Sequence, residues 1–236
     1  AILRQVTAVT PEASNVVARL GRPTEEKQWL SDHPIILAAS DPSWPPMECI
    51  NEDGELSGMV ADYMALIEKK LGTKIKVMPQ DTWSEALDSA KQRKVSILTA
   101  AVRTPDRDKY MLFTEPYLEL PAVIIVNNKD QGIASMADLR DKRVAVVKDY
   151  GTHDFLKRGF PYLKLSLVPD IQTGLYDVSY GKVDAFIANI ASASYYIEKN
   201  AIQNLRVAGD SGYVFDLGIA SRSDWPRLNQ LLQKAL

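Results

Sequence analysis

Short apolar runs alternate with helical stripes along most of the chain. Ile35–Ala39 is a continuous apolar run and predicts a buried strand. Asp41-Pro42-Ser43-Trp44-Pro45-Pro46 reads as a rigid loop, and Asn51–Gly54 as a turn. Val60, Met64, Ile67 and Leu71 recur at helical spacing, and Gly72 follows as a C-terminal cap. Ile75 and Val77 alternate as in a strand. Thr82-x-x-Glu85 is a capping box that opens a helix over Trp83–Lys91. Val95–Thr99 predicts a strand, Thr104-Pro105 a helical turn with Arg107 in it, and Pro121–Val126 a long strand.

The same grammar restarts after Asn127-Asn128. Ser135-x-x-Asp138 opens a short helix, and Arg143–Val147 is a strand. Helix 153–158, strand Lys164–Val168 and a helix with Ile171, Leu175 and Val178 on one face come next. Strand Val183–Ala188, helix 190–200 and strand Leu205–Ala208 end this block. A last strand, Tyr213–Ala220, leads to a helix opened by Ser223 with Pro226 in its first turn. Ahead of everything, residues 1–23 are weakly patterned, and Thr24 is placed to cap a short helix carrying Trp29-Leu30.

Strands alternating with helices imply βαβ units and mostly parallel sheets. Two such blocks, 35–126 and 129–208, are similar in length and grammar. If the final strand and helix return to the first block, the chain crosses twice between lobes. The expected partition is a lead-in linker and short helix over 1–34, a first lobe of 35–126 with 213–236, and a second lobe of 127–212. Two parallel crossings make a hinge, and a cleft between α/β lobes is a place for a ligand.

Composition narrows the function. In 236 residues, 28 basic side chains against 30 acidic give a net charge of −2, without the basic excess a nucleic-acid binder needs. Hydrophobic residues at 46% and charged ones at 25% are the values of an ordinary globular protein. The single Cys49 excludes an intrachain disulfide, and His33 and His153 lie too far apart in sequence to suggest a metal cluster. The longest uncharged run, Ala185–Ile197, falls short of the roughly 20 residues that span a bilayer. Ala1 opens the chain without a start Met or a signal-peptide pattern, as expected of a mature chain or an excised domain.

Candidate chemistry is thin for catalysis and better for binding. No Gly-x-Ser-x-Gly elbow or phosphate-binding Gly-rich loop occurs. Asp41 and Glu48 form a carboxylate pair of catalytic type on one reading; on the other they are a loop Asp and a surface Glu. No catalytic residue and no cofactor is expected. Arg107, in the first turn of a helix, is placed to grip a carboxylate, or else is a solvated first-turn Arg. Trp44, Trp83 and Tyr117 sit at strand and loop ends, where they line a cleft or edge the core. Gly151-Thr152 opens a helix and offers N–H donors and a hydroxyl, or simply caps it.

Five segments in order resemble the type II periplasmic solute-binding proteins of the amino-acid class, family 3, over about residues 35–236. Asp41-Pro42-Ser43-Trp44-Pro45-Pro46-Met47 is similar to the first-lobe loop of that family. Gly54–Asp62 matches its G-x-x-x-G-[FIM]-x-x-D. Thr104-Pro105-Asp106-Arg107 with Phe113–Tyr117 matches T-x-x-R…F-[ST]-x-P-Y. Leu139–Val146 matches L-x-[GD]-K-x-V-[AG]-V, and Gly181–Ala185 matches G-[RK]-[AV]-D-A. Glu26-x-x-Trp29-Leu30-x-x-His33-Pro34, with Trp83–Leu87 and Asp224-Trp225-Pro226, narrows the resemblance to the extracytoplasmic flytrap domains of hybrid sensor histidine kinases.

The resemblance implies two α/β lobes that close on a small solute. Arg107 would hold its carboxylate and Trp44 and Trp83 would wall it, with Asp41, Thr104 and Tyr117 also in the ligand-binding set. Tyr150, Gly151, Thr152 and Asn189 would add contacts from the second lobe. It also implies a periplasmic location, tethering to the membrane in a longer receptor, and homodimerisation through that receptor. The alternative within the family is a free binding protein of an amino-acid ABC transporter. Four positions depart from the family pattern. Ala100 and Val102 stand where Ser or Thr is usual, Asn189 stands for an acid that meets the ligand's ammonium, and Arg103 is an extra cation. Those departures weaken the case for a standard α-amino acid, so the expected ligand is a small carboxylate, another anion or an amino-acid-like solute.

Overall fold

The computed structural model describes residues 23–236. The lead-in read over 1–22 lies outside the described residues. In the first lobe, α1 (Thr24–Asp32) precedes β1 (Ile35–Ala39). Three short strands follow, β2 (Ser43–Trp44), β3 (Glu48–Ile50) and β4 (Leu56–Ser57). Then come α2 (Met59–Leu71), β5 (Lys74–Val77), α3 (Trp83–Lys91), β6 (Ile97–Val102) and β7 (Met111–Phe113). The crossing strand β8 (Leu118–Asn127) leads into the second lobe. That lobe holds β9 (Arg143–Val147), α4 (Gly151–Gly159), β10 (Lys164–Val168), α5 (Ile171–Ser179), β11 (Ala185–Asn189) and α6 (Ile190–Lys199). The return strand β12 (Leu205–Arg222) ends at α7 (Pro226–Ala235).

One curled mixed sheet joins the lobes, in the order β10-β9-β11-β8-β12-β6-β1-β5, with β7 beside β12. Each end is parallel: β1 pairs with β5 and β6, and β9 with β10 and β11. The middle is antiparallel, because β8 and β12 cross between the lobes in opposite directions. The chain therefore has the two-lobed flytrap architecture, and its parallel character is confined to the flanks. Ala122–Val126 already pairs with β11, so the partition expected at 126 falls inside β8.

The apolar stripe of α2 buries Val60, Met64, Ile67 and Leu71 as its spacing predicts, and Gly72 ends the helix in the left-handed conformation. The second lobe buries Ile171, Leu175 and Val178 of α5 in the same way. Both ends of the described chain meet on the first lobe. Lys234 of α7 reaches the buried Glu26 of α1 at 2.5 Å, and Trp29, His33 and Trp225 pack as an aromatic cluster.

Some expectations change. The loop and turn over 41–54 contain most of a small antiparallel sheet, β2-β3-β4. Leu205–Ala208 and Tyr213–Ala220 are two parts of one strand. Pairing with β8 survives the Gly-Asp-Ser-Gly step through register shifts, and Ser211 Oγ donates to the Ala122 carbonyl at 2.7 Å. Thr24 is the first helical residue, behind Pro23, and α7 starts at Pro226 behind Trp225 instead of at Ser223. The helix expected from Thr104 is a single 3-10 turn, Arg107–Lys109. Among the described residues no helix is long and apolar enough to cross a membrane.

Candidate functional site

The end of β6 and the turn behind it carry Ala100, Ala101, Val102 and Arg107 to the gap between the lobes. Thr104 accepts the Arg107 N–H on Oγ1 at 3.3 Å and so pins the turn. A three-residue turn has little dipole, so Arg107 works here through its guanidinium and not as part of a helix N-terminus. Arg107 is 5% exposed and lines the crevice. It donates to the Val102 carbonyl at 2.6 Å and, across the gap, to the Asp149 carbonyl at 2.8 Å. It also lies over the Trp83 ring, 5.3 Å from the centroid. Burial pushes its pKa below the ordinary arginine value, with acidic and phenolic neighbours opposing that.

Trp44 and Trp83, each read as cleft wall or core edge, are both at once: nearly buried, they face the crevice with Tyr150 and Phe215. The space left among these groups is about 20 Å³, room for about one water. A solute therefore enters only when the lobes part. Gly151 closes the second-lobe side. A Cβ there would lie 2.0 Å from the Tyr213 hydroxyl and 3.3 Å from Val102 of the first lobe, so the chain approaches this closely only as glycine. A second hollow of about 140 Å³ opens on the outer side of Arg107, between Lys91, Tyr110, His153 and Lys157.

Asp41 is also buried against the crevice. Its carboxylate accepts the Ser43 N–H at 2.9 Å and, across the gap, the Tyr150 hydroxyl at 2.5 Å. Burial pushes its pKa up to about 6, against the pull of those two hydrogen bonds. Glu48, read as a surface residue, is fully buried. One carboxyl oxygen accepts the Asp41 N–H at 2.8 Å and the other the Thr99 hydroxyl at 2.6 Å. Desolvation pushes its pKa to about 8. The mixture of Pro, polar and short apolar residues over 41–50 hides that burial, which the β2-β3 hairpin produces by folding Glu48 back on Asp41.

The remaining candidates stand further back. Tyr117 donates to the Thr99 carbonyl at 2.9 Å and packs on Tyr63, behind the crevice wall. Thr152 is buried in the first turn of α4, and Asn189 caps α6 by accepting the Ser192 N–H at 2.8 Å. Arg103, the extra cation, points outward and is held by Asp108 at 2.8 Å. The sequence reading missed Ser84 and Asp149, which meet across the gap at 2.6 Å. The one local hint is an Asp two residues before the Gly that opens a helix.

Residues 36–236 match the family model of bacterial extracellular solute-binding proteins, family 3. The chain belongs to that family. Among curated relatives, family 3 resemblance extends to the virulence sensor protein BvgS of Bordetella pertussis, 25% identical over 213 residues, which are 89% of this chain and 17% of that protein. It extends also to ABC transporter arginine-binding protein 1 of Escherichia coli, 25% identical over 198 residues, 82% of this chain and 80% of that one. The chain thus spans less than a fifth of the sensor protein. Among solved structures, the periplasmic VFT2 domain of B. pertussis BvgS superposes with a TM-score of 0.82 at 22% identity, covering 91% of this chain and 92% of that one. At that identity the likeness speaks for the fold, a Venus flytrap.

Proposed function

We propose that this chain is the extracytoplasmic, periplasmic sensing domain of a membrane-spanning sensor histidine kinase. It takes a small carboxylate between its lobes and signals by lobe movement passed to α7. The single observation behind the ligand assignment is Arg107, a nearly buried cation facing the crevice among aromatic walls. One further buried donor on the crevice, Trp44 Nε1, has no acceptor among the described residues. Such donors among apolar walls suit an anion with a compact body, and the acid on the crevice, Asp41, is already engaged by the Ser43 N–H and the Tyr150 hydroxyl. In the sensor reading, α7 and α1 together carry the movement out of the first lobe, and the parent receptor works as a homodimer.

The test is a melting-temperature series with acetate, benzoate, succinate and the common amino acids, followed by calorimetry on any that stabilise. Saturation at about 100-fold over Kd contributes roughly 2.7 kcal/mol, a clear shift. Stabilisation by a carboxylate that is lost in Arg107→Ala supports the site; retention in that variant removes it. A free transport receptor is the second reading, favoured by the near full-length similarity to arginine-binding protein 1. Tight calorimetric binding of L-arginine would favour it, and kinase modules encoded beyond residue 236 would exclude it.

A further inference from the structure

We propose that the Asp149 turn is a tethered occupant of the Arg107 site: an internal latch that holds the lobes together and that a solute must displace. The displacement step rests on the solute reading above; the latch does not. Asp149 lies between β9 and α4 and takes the left-handed backbone, at φ 62°, a conformation a non-glycine residue adopts only at a cost. That conformation coincides with full use of its polar groups. The carbonyl accepts from two first-lobe donors, Arg107 Nη2 at 2.8 Å and Trp83 Nε1 at 3.1 Å. Its carboxylate accepts the Ser84 hydroxyl at 2.6 Å, in the first turn of α3, where the helix favours negative charge. Its N–H donates to His153 Nδ1 at 3.2 Å, which anchors the turn on its own lobe.

Three of these four bonds cross the gap, and one of them ends on the guanidinium that would otherwise face a solute's carboxylate. The carbonyl oxygen thus stands where an anion's oxygen would go. The turn imitates a ligand in position and in hydrogen-bond pattern, and the chain supplies it at a fixed, high effective concentration.

Opening can be read by thiol labelling. A cysteine at Ala101 on the crevice wall, in a Cys49→Ser background, reacts with iodoacetamide only when the lobes part. The chain is first unfolded and refolded to strip carried-over solutes. Each lost hydrogen bond shifts the closed-to-open ratio by roughly fivefold at the least, the Ser84 bond to a carboxylate being the stronger, so Trp83→Phe with Ser84→Ala should accelerate labelling at least about 25-fold. The acceleration should show little dependence on low urea, which marks lobe opening and not global unfolding. Ser84→Ala alone, outside the crevice wall, should give at least about fivefold and serves if the double variant folds poorly. Labelling within twofold of the parent in Ser84→Ala and in the double variant overturns the latch, as does fast labelling of the parent itself. Faster labelling in the variants, with no carboxylate raising the melting temperature of any of them, keeps the latch and removes the solute reading.

Discussion

Along one rim of the crevice, Arg107, Trp83 and Ser84 of the first lobe converge on Asp149; along the other, Asp41 and Ser43 meet Tyr150 and Tyr196. The first rim is built on a guanidinium, which stays charged at any pH the protein meets. The second is built on a buried carboxyl whose pKa is about 6, backed by Glu48 at about 8. Both rims bridge the lobes by hydrogen bonds of similar length, but the second carries its titrating groups in the bridge itself, whereas the first meets one only behind it, at His153, whose Nδ1 accepts the Asp149 N–H and whose pKa burial lowers. Closure therefore has a component fixed by geometry and a component set by the medium.

Removing the cation should have the largest effect. Arg107→Ala deletes two charge-assisted hydrogen bonds and the stacking on Trp83, leaving the Val102 carbonyl buried without this donor. We expect a loss of about 3 kcal/mol in urea unfolding, together with loss of carboxylate binding in calorimetry. A loss below about 1 kcal/mol would mean that the Arg107 rim is not the stronger of the two.

The titrating rim gives the next effect. A carboxyl raised from 3.8 to about 6 binds its proton more tightly in the folded, closed chain than in the unfolded one. Its contribution is complete below pH 3.8 and is lost as pH rises through 6; for Glu48 the window runs from 4.5 to about 8. Melting temperature should therefore fall between pH 5 and pH 8. Glu48→Gln keeps an acceptor for the Asp41 N–H and removes the proton, so the fall between pH 6 and 8 should shrink by on the order of 2 kcal/mol. An unchanged pH profile in that variant would assign the slope to other groups.

Tyr150→Phe removes one hydroxyl and isolates Asp41. We expect about 1.5 kcal/mol of destabilisation. Because the lost bond favours the ionised carboxylate, the midpoint of the pH-dependent fall should also move upward. The same substitution should leave the Arg107 rim intact. Titration of the Asp41 carboxyl by NMR in wild type and variant would show it.

Legibility in the sequence divides along the same lines. The α2 stripe, its Gly72 cap and the alternation of strands and helices could be read, because each is fixed by residues within a few positions of one another. The β2-β3-β4 sheet could not, since strands of two or three residues among prolines carry no periodicity. Arg107, Trp44 and Trp83 were legible as cleft residues through their order with neighbouring motifs. Ser84 and Asp149 were not, because their role arises only when α3 and the β9–α4 turn are brought face to face. Glu48 was misread for a related reason: its acceptors are used by Asp41 and Thr99, one across a hairpin and one on β6.

The smallest expected effect tests whether the titrating rim extends beyond Asp41. Tyr196 of α6 donates to the Ser43 carbonyl at 3.2 Å, a longer and partly solvated bond. Its hydroxyl, pushed above the ordinary tyrosine range by burial, stays protonated throughout the working pH range. Tyr196→Phe should therefore cost only about 0.5 kcal/mol and leave the pH profile where it was. If the profile moves as it does for Tyr150→Phe, the two tyrosines act as one unit on Asp41, whose charge also bears on Tyr196. A double-mutant cycle of the two separates these outcomes: additivity confines the Asp41 part of the proton response to its contact with Tyr150, and a coupling above about 0.5 kcal/mol extends it to Tyr196.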